Sequence, residues 1–470
     1  MVSEWVKEEM GSLDMGDKRL NKRLMHIITE TSKQPGKSIN RQFHTRKEMQ
    51  ACYRFHSNNL VNEEKIIAPH KKMTLNRAKK FPVVLCPSDT TSLNYTTRKG
   101  LKDSGYISSN NAQGFFMHAT IAVTPERLHL GVIDQKIWAR EKEKKANLVH
   151  RDLRPIEEKE SYRWLEAYRI TCKFAKSCKD TQVVHITDKE GDIFEVFAER
   201  ESRQQEGCAA HFLMRCNHNR TVYLKNKKTS TLFKELKKNT PLGQISFELE
   251  VDGVIRAVVQ NIYALTATIK SPDSEKSLSI NSFCLEEIDP PEGCEPICWY
   301  LITSLPIGTV EEIEKAVKYY LCRWEIETFF KTIKSGCKIE EKSLRKAERL
   351  FSAFAIISII AWRLNYLLHI SRLMPEISCE FYFERSEWKA GTIAATRNKI
   401  PPGTAPNMGT MMEYITQLGG HQKCKNSLEA GIKALWVGLS SLGNYADAWD
   451  LFGPEVNHKE DLFVKKRCAQ

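Results

Sequence analysis

The sequence lacks the signatures of several common enzyme classes. It has no GxxxxGK[ST] loop, no GxGxxG segment after a predicted strand and no HExxH pair. These motifs supply the groups that bind nucleotide phosphates, dinucleotides or catalytic zinc. Their absence argues against a P-loop NTPase, a dinucleotide-dependent oxidoreductase and a zinc peptidase.

The chain also lacks a cysteine framework. Its fourteen cysteines are scattered, and the close pair Cys294 and Cys298 has no second pair or histidines at zinc-finger spacing. We therefore expect free thiols in a reducing cytoplasm.

Long apolar runs are missing as well. The most apolar run, Leu350–Trp362, ends at Arg363 after thirteen residues. This is too short to span a bilayer and predicts a buried core helix. The charged opening MVSEWVKEEMG predicts no signal peptide. We expect a cytoplasmic protein with no membrane partner.

Positive charge is what the chain has in excess. The 470 residues carry a net charge of +13, and residues 1–80 hold 17 Lys and Arg against 9 Asp and Glu. Such an uneven distribution is typical of a nucleic-acid-binding region.

The pattern of apolar residues predicts a mixed α/β fold with helical ends. Helices are expected over the first eighty residues, and the first buried strand over FPVVLCPSD at 81–89. Short alternating segments predict a β insertion at about 221–305, followed by helix from about 309 through 371. A linker at 396–409 precedes C-terminal helices.

The segment YLCRWEIETFFKTIK carries the most informative spacing. Its polar groups fall at offsets 0, +3, +7, +11 and +14, at Tyr320, Arg323, Glu327, Lys331 and Lys334. On a continuous α-helix they project within roughly 80° of one another. One acid would then lie within a stripe of phosphate-seeking groups. The alternative is an ordinary solvated charged face.

Two aspartates follow predicted strands and can join this acid. Asp89 ends the first strand in PSDTTS, and Asp188 ends a later strand in HITDKEGD. Either could simply cap a turn. Together with Glu327 they offer three oxygen ligands, which suit Mg²⁺ or Mn²⁺. Such a cluster can hold two ions that assist phosphodiester displacement.

Several motifs together resemble a known family. DTTSLNY (89–95), KESYRW (159–164), TDKEGDI (187–193) and the Tyr-Arg-Glu-Lys spacing are similar to bacterial DDE transposases of insertion-sequence family 4, in the Tyr-Arg-Glu-Lys subgroup. GDKRLNKRL (16–24) and ACYRFHSN (51–58) resemble its N-terminal DNA-binding region. The resemblance runs from about residue 5 to residue 445.

The resemblance implies a role for each matching residue. Asp89, Asp188 and Glu327 correspond to the catalytic, metal-binding carboxylates of an RNase H-like domain. The matching DNA-binding residues are Tyr320, Arg323, Lys331, Lys334, Trp299, Arg54, Arg19 and Arg23. Among these, Trp299 would stack on a flipped base, although a strand tryptophan can equally be core, and Arg54 can equally be an ordinary surface residue.

The resemblance also implies three domains. These are a helical DNA-binding domain at 1–78, an RNase H-like catalytic domain at 79–370 and a helical dimerisation region at 371–470. The helices near Trp436 would form the dimer, although Trp436 fits a core position as well.

A bacterial, nucleoid-associated transposase is the function that this resemblance implies. It would pair element ends as a homodimer, cut both strands through a DNA hairpin and insert the element into target DNA. The alternatives are a stand-alone RNase H-like nuclease and an inactive DNA-binding regulator.

Overall fold

The computed structural model describes residues 2–98, 100–108, 111–140, 154–224, 228–251, 254–271, 277–398, 400–421 and 431–454. The chain forms two compact units. Residues 71–99 and 103–330 are called the sheet unit here, and residues 1–70, 100–102 and 331–470 the helical unit.

Within the described residues, the sheet unit is built on one mixed sheet of twelve strands. The strands are β1 (Val83–Asn94), β2 (Gly105–Tyr106), β3 (Gln113–Val123), β4 (His129–Trp138), β5 (Gln182–Thr187), β6 (His211–Arg215), β7 (Thr221–Tyr223), β8 (Thr229–Thr231), β9 (Gly243–Val251), β10 (Val254–Lys270), β11 (Ser277–Glu287) and β12 (Cys298–Thr303). Their order is β2-β3-β1-β5-β6-β12-β11-β10-β7-β8, with β4 beside β3 and β9 beside β10.

The centre of this sheet is parallel. β5 runs parallel to β1 on one side and to β6 on the other, with Leu85 opposite Val184 and Ile186 opposite Leu213. The sequences VVLCPS of β1 and VVHIT of β5 are buried almost continuously. Continuous burial is typical of parallel strands that are covered on both faces.

The predicted β insertion extends the same sheet. β12 pairs antiparallel with β6, and β11, β10 and β9 continue outward from it. A large mixed sheet with helical segments at both ends of the chain confirms the predicted α/β class.

The helices are numbered in chain order over the described residues. They are α1 (Glu4–Glu9), α2 (Lys18–Lys33), α3 (Ile39–Gln42), α4 (Arg46–His56), α5 (Glu63–Ala78), α6 (Tyr162–Ser177), α7 (Phe194–Gln205), α8 (Leu232–Lys238), α9 (Val310–Leu321), α10 (Trp324–Lys331), α11 (Ala347–Leu373), α12 (Arg385–Thr396), α13 (Met408–Leu418) and α14 (Ile432–Phe452).

The helical unit packs the first helices of the chain against the last ones. Lys33 of α2 donates to Asp447 of α14 at 2.7 Å, and His56 of α4 lies 2.6 Å from the Ser352 hydroxyl of α11. α11 has the length and apolar composition of a membrane span, but 89% of its most apolar stretch is buried inside the structure. It is the core helix of this unit. The predicted domain boundaries at 78 and 370 remain a prediction.

Candidate active site

Asp89 lies inside β1, and not at its end as predicted. The strand continues to Asn94 because it stays paired with β3 along that length. Its parallel pairing with β5, however, ends at Pro87 opposite Ile186. Asp89 therefore lies just past the point where β1 and β5 separate, and its side chain is 20% exposed.

Asp188 directly follows β5, as the sequence predicted. Its Oδ1 accepts a hydrogen bond from the Glu190 amide at 2.8 Å and so caps a 3₁₀ turn at Lys189–Gly191. Gly191 allows this turn to fold back on the strand, because a Cβ there would overlap the side chain of Thr187. The turn thus holds Asp188 at the carboxyl end of a central strand, where sites form in α/β sheets.

The prediction of one continuous helix from Tyr320 to Lys334 is wrong. α9 ends at Leu321, and the amides of Cys322 and Arg323 bond to carbonyls three residues back. α10 then begins at Trp324, and a π-helix follows at Thr332–Gly336. The tight turn and the wide turn both change the angle per residue, so projection on a single α-helix does not apply.

Side-chain contacts still join this helical segment to β1. The Arg323 guanidinium donates to Glu327 at 2.7 Å, and its other terminal nitrogen lies 3.7 Å from the Asp89 carboxylate. Arg323 is only 11% exposed, whereas Glu327 is 39% exposed. A mostly buried cation thus bridges two of the three predicted carboxylates, and an ion pair in such a position is screened less than one at the surface.

Asp89 lies close enough to the other two acids to interact with them electrostatically. Its pKa is raised to about 6, mainly by burial and in smaller part by the negative charges of Asp188 and Glu327, while the Thr90 amide and Arg323 oppose the rise. Like charges in one site disfavour ionisation. A divalent cation bound by the three carboxylates would relieve this repulsion, so the donor set fits the predicted metal.

Tyr320 interacts electrostatically with Asp188, and Trp299 lies beside Tyr320. Tyr320 is buried, and its pKa is raised by that burial, with Arg323 and Arg215 opposing and Asp188 adding to the rise. The Trp299 ring meets Tyr320 edge-on at 6.1 Å between centroids. Trp299 is half-buried on β12, so its indole is neither wholly in the core nor fully exposed.

Arg163 is a residue of this site that the sequence reasoning missed. It lies near the start of α6 and donates to the Thr90 hydroxyl at 2.9 Å and to the Glu190 carboxylate at 2.8 Å. Thr90 and Glu190 flank the two aspartates. KESYRW contributed to the resemblance, but nothing in that string indicates which side chain turns toward the site.

The two lysines of the predicted stripe belong to the helical unit. Lys331 is exposed at the end of α10, and Lys334 is half-buried in the π-helix. Burial lowers the pKa of Lys334, and Glu340 partly opposes this effect. Their contribution to phosphate binding remains a prediction.

The predicted N-terminal DNA contacts differ in exposure. Arg54 on α4 is exposed, Arg23 on α2 is half-buried, and the Arg19 side chain is 92% exposed with an ion pair to Asp17 at 2.9 Å. Trp436 of α14 is buried within the helical unit, against Gly336. Its own chain accordingly gives Trp436 a core environment.

Three family models match the chain in sequence order. Transposase DNA-binding matches residues 2–61, Transposase DDE domain matches residues 88–364, and Transposase Tn5 dimerisation domain matches residues 359–449. The DDE match covers more than half of the chain and includes all three predicted carboxylates.

These matches confirm the predicted function and the predicted partners in outline. The chain carries regions for DNA binding and dimerisation, so its partners are DNA and a second copy of itself. Its catalytic domain is of a class that depends on divalent metal ions. The chain belongs to the DDE transposases of the Tn5 type.

Proposed function

We propose that this transposase binds the terminal inverted repeats of its own element and pairs them as a homodimer. It cuts both strands at each end through a DNA hairpin and joins the freed ends to target DNA. The observation that carries this proposal is the pairing of Arg323 with both Asp89 and Glu327 in the sheet unit, with Asp188 close enough to Asp89 to affect its pKa.

The three carboxylates are proposed to hold two Mg²⁺ or Mn²⁺ ions. Three oxygen donors without histidine or thiolate suit these hard cations. Ions bound there supply Lewis-acid stabilisation of the charge that develops on the phosphodiester. The pKa of Asp89 is raised mainly by burial, and the negative charges of Asp188 and Glu327 add to the rise, so a bound cation would compensate charge that is close together there.

The neighbouring side chains are proposed to position the DNA. Arg323 orients Glu327 through their 2.7 Å ion pair and presents its remaining N–H groups to a phosphate. Tyr320 adds a phosphate contact. Lys331 and Lys334, in the helical unit, are proposed to bind DNA phosphates as well. Trp299 receives a base that leaves the stack when the DNA end bends into a hairpin.

The terminal regions are proposed to select and pair the ends. Arg19, Arg23 and Arg54 contact end DNA, in line with the match of residues 2–61 to a DNA-binding family. We propose domain limits of 1–78, 79–370 and 371–470, and a cytoplasmic, nucleoid-associated location. The match of residues 359–449 to a dimerisation domain favours a paired-end complex over a stand-alone nuclease.

A cleavage and strand-transfer assay tests the proposal. The substrate is duplex DNA with the inverted repeats that flank the gene, and Mg²⁺ is present. The wild-type protein should nick the ends and join them to a plasmid, whereas Asp188→Ala should still bind the ends and do neither. Glu201→Ala, which removes an exposed carboxylate on α7, is the matched control and should act like wild type.

Two outcomes would refute parts of the proposal. Nicking without joining would indicate a stand-alone nuclease. End binding without any nicking by the wild-type protein would indicate an inactive regulator.

A further inference from the structure

Arg163 makes three hydrogen bonds from one guanidinium. Nε donates to the Thr90 Oγ1 at 2.9 Å, one terminal nitrogen donates to the Glu160 carbonyl at 2.7 Å, and the other donates to the Glu190 carboxylate at 2.8 Å. Its side chain is only 14% exposed. Each of the three guanidinium nitrogens is thus engaged in a hydrogen bond, which fixes the orientation of the planar fork.

Both side-chain acceptors of Arg163 are bonded in turn to a catalytic-site aspartate. The Thr90 amide donates to Asp89 Oδ1 at 2.6 Å, and the Glu190 amide donates to Asp188 Oδ1 at 2.8 Å. A path of hydrogen bonds, continued through Thr90 and Glu190, therefore leads from one aspartate to the other. Arg163 lies in the middle of that path.

The backbone does not provide this connection at the level of the two aspartates. The parallel ladder between β1 and β5 has its last pair at Pro87 and Ile186, so Asp89 and Asp188 both lie beyond it. Past that point β1 continues with β3, while the chain after β5 enters a 3₁₀ turn. Beyond the ladder, Arg163 adds a side-chain cross-link between the two segments.

We propose that Arg163 is a positioning residue for the metal-binding carboxylates. It ties the β1 segment at Thr90 to the turn at Glu190 and so holds Asp89 and Asp188 at the separation that a divalent ion requires. This inference rests on the proposed function of the two aspartates as metal ligands. Residues that orient metal ligands in this way typically contribute 10- to 100-fold in metal affinity or activity.

Mn²⁺ binding to the DNA-free, full-length protein is the direct test, measured by isothermal titration calorimetry. Arg163→Ala should weaken Mn²⁺ binding by about 10- to 100-fold. Arg163→Lys should restore only part of the affinity, because an ammonium group is a compact charge without the planar fork that reaches three acceptors. The Mn²⁺ concentration for half-maximal nicking should rise in parallel, with end-DNA affinity unchanged.

Arg169→Ala is the matched control. Arg169 lies on the same helix and pairs with Glu199 at 2.9 Å, so its loss also removes a partly buried ion pair from α6. Arg169 is not in the hydrogen-bond path to either aspartate. Its Mn²⁺ affinity should stay at the wild-type value, which separates positioning from a general effect on α6.

Two gentler variants keep the test decisive if Arg163→Ala does not fold. Thr90→Val preserves the shape of the side chain but removes a hydroxyl that also bonds buried His118 at 2.8 Å, whereas Glu190→Ala removes an acceptor that is largely exposed and is the cleaner variant. Each should weaken Mn²⁺ binding. Where Arg163→Ala folds, combining it with Glu190→Ala should cost no further affinity, because both substitutions break the same path.

The outcomes for the two proposals are distinguishable. Wild-type Mn²⁺ affinity in folded Arg163→Ala, or in both Thr90→Val and Glu190→Ala, would overturn the role of Arg163 and leave the transposase function intact. Absence of Mn²⁺ binding and of nicking in the wild-type protein would instead refute the metal site itself.

Discussion

The strand-borne and helix-borne halves of the active site are held in place by different means. Asp89 and Asp188 are fixed by sheet pairing, a capped turn and Arg163. Glu327 comes from a short helix that follows a tight turn, and a single ion pair to Arg323 orients it. A strand in a sheet is held by many hydrogen bonds, so the loss of one changes its position little, whereas the loss of a single ion pair removes the whole constraint.

The position of the helix-borne half is therefore more sensitive to a single substitution away from the metal ligands than that of the strand-borne half. Arg323 connects both halves, since it also lies 3.7 Å from Asp89. Changes at this arginine should therefore have larger consequences than changes at any one group that supports the strands.

Among substitutions away from the metal-binding carboxylates, Arg323→Ala has the largest expected effect. It removes the partner of Glu327 and the positive charge beside Asp89. Nicking of the end DNA should fall by about 10- to 100-fold or more, because the orientation of a metal ligand and a phosphate contact are lost together. Arg323→Lys should recover part of the nicking rate. A full wild-type rate in Arg323→Ala would show that the ion pair does not contribute to nicking.

Trp299→Ala should affect one step alone. The first nick needs no extruded base and should proceed normally, whereas hairpin formation should slow by roughly ten- to a hundredfold, the equivalent of about 1–3 kcal/mol of lost stacking. Denaturing gels that resolve nicked, hairpin and excised products would measure both steps. An abasic nucleotide at the extruded position should partly rescue the variant. Joint loss of solubility and of the first nick would mean that Trp299 is a core residue.

Gly191→Ala tests the strand-borne half. The added Cβ would overlap Thr187, so the turn that carries Asp188 must shift. We expect a loss of about 1–3 kcal/mol in the free energy of unfolding, and weaker Mn²⁺ binding. Gly403→Ala is the control, since a Cβ there meets nothing within 4 Å. Denaturant titrations that find equal stability in the two variants would show that the turn has more room than described.

Lys334→Ala should give the smallest effect. The variant should bind end DNA with a salt dependence reduced by about one unit of slope for the lost phosphate contact. Fluorescence anisotropy across a range of salt concentrations measures that slope. An unchanged slope would make Lys334 a structural lysine, in keeping with its half-buried position.

Much of the strand-borne half could be predicted from the sequence. Asp188 was expected after a buried strand and is found there, because a run of β-branched residues followed by DKEGD indicates both the strand and its end. The predicted end of β1 came too early, since half-buried polar residues such as Thr90 give no strand signal until β3 is known to pair with them.

The helix-borne half could be predicted in composition but not in geometry. The spacing singles out Tyr320, Arg323 and Glu327 as candidates, and the structure brings them together, while their roles stay a prediction. The predicted angles between these side chains around one helix axis were wrong. The tight turn at Cys322 and the π-helix after Lys331 cannot be recognised from the local helix propensity of the residues. Arg163 could not be predicted either, because its role depends on contacts between segments far apart in the chain.

The most direct test of a single metal site built by the strands and the helix is Mn²⁺ titration of the wild-type protein, Asp188→Asn and Glu327→Gln. If the strands and the helix contribute to one metal site, the wild-type protein binds Mn²⁺ and each substitution abolishes or strongly weakens that binding, although all three proteins bind end DNA. A Glu327→Gln protein that binds Mn²⁺ as tightly as the wild-type protein would contradict a shared metal site, because the helix would then contribute nothing to it.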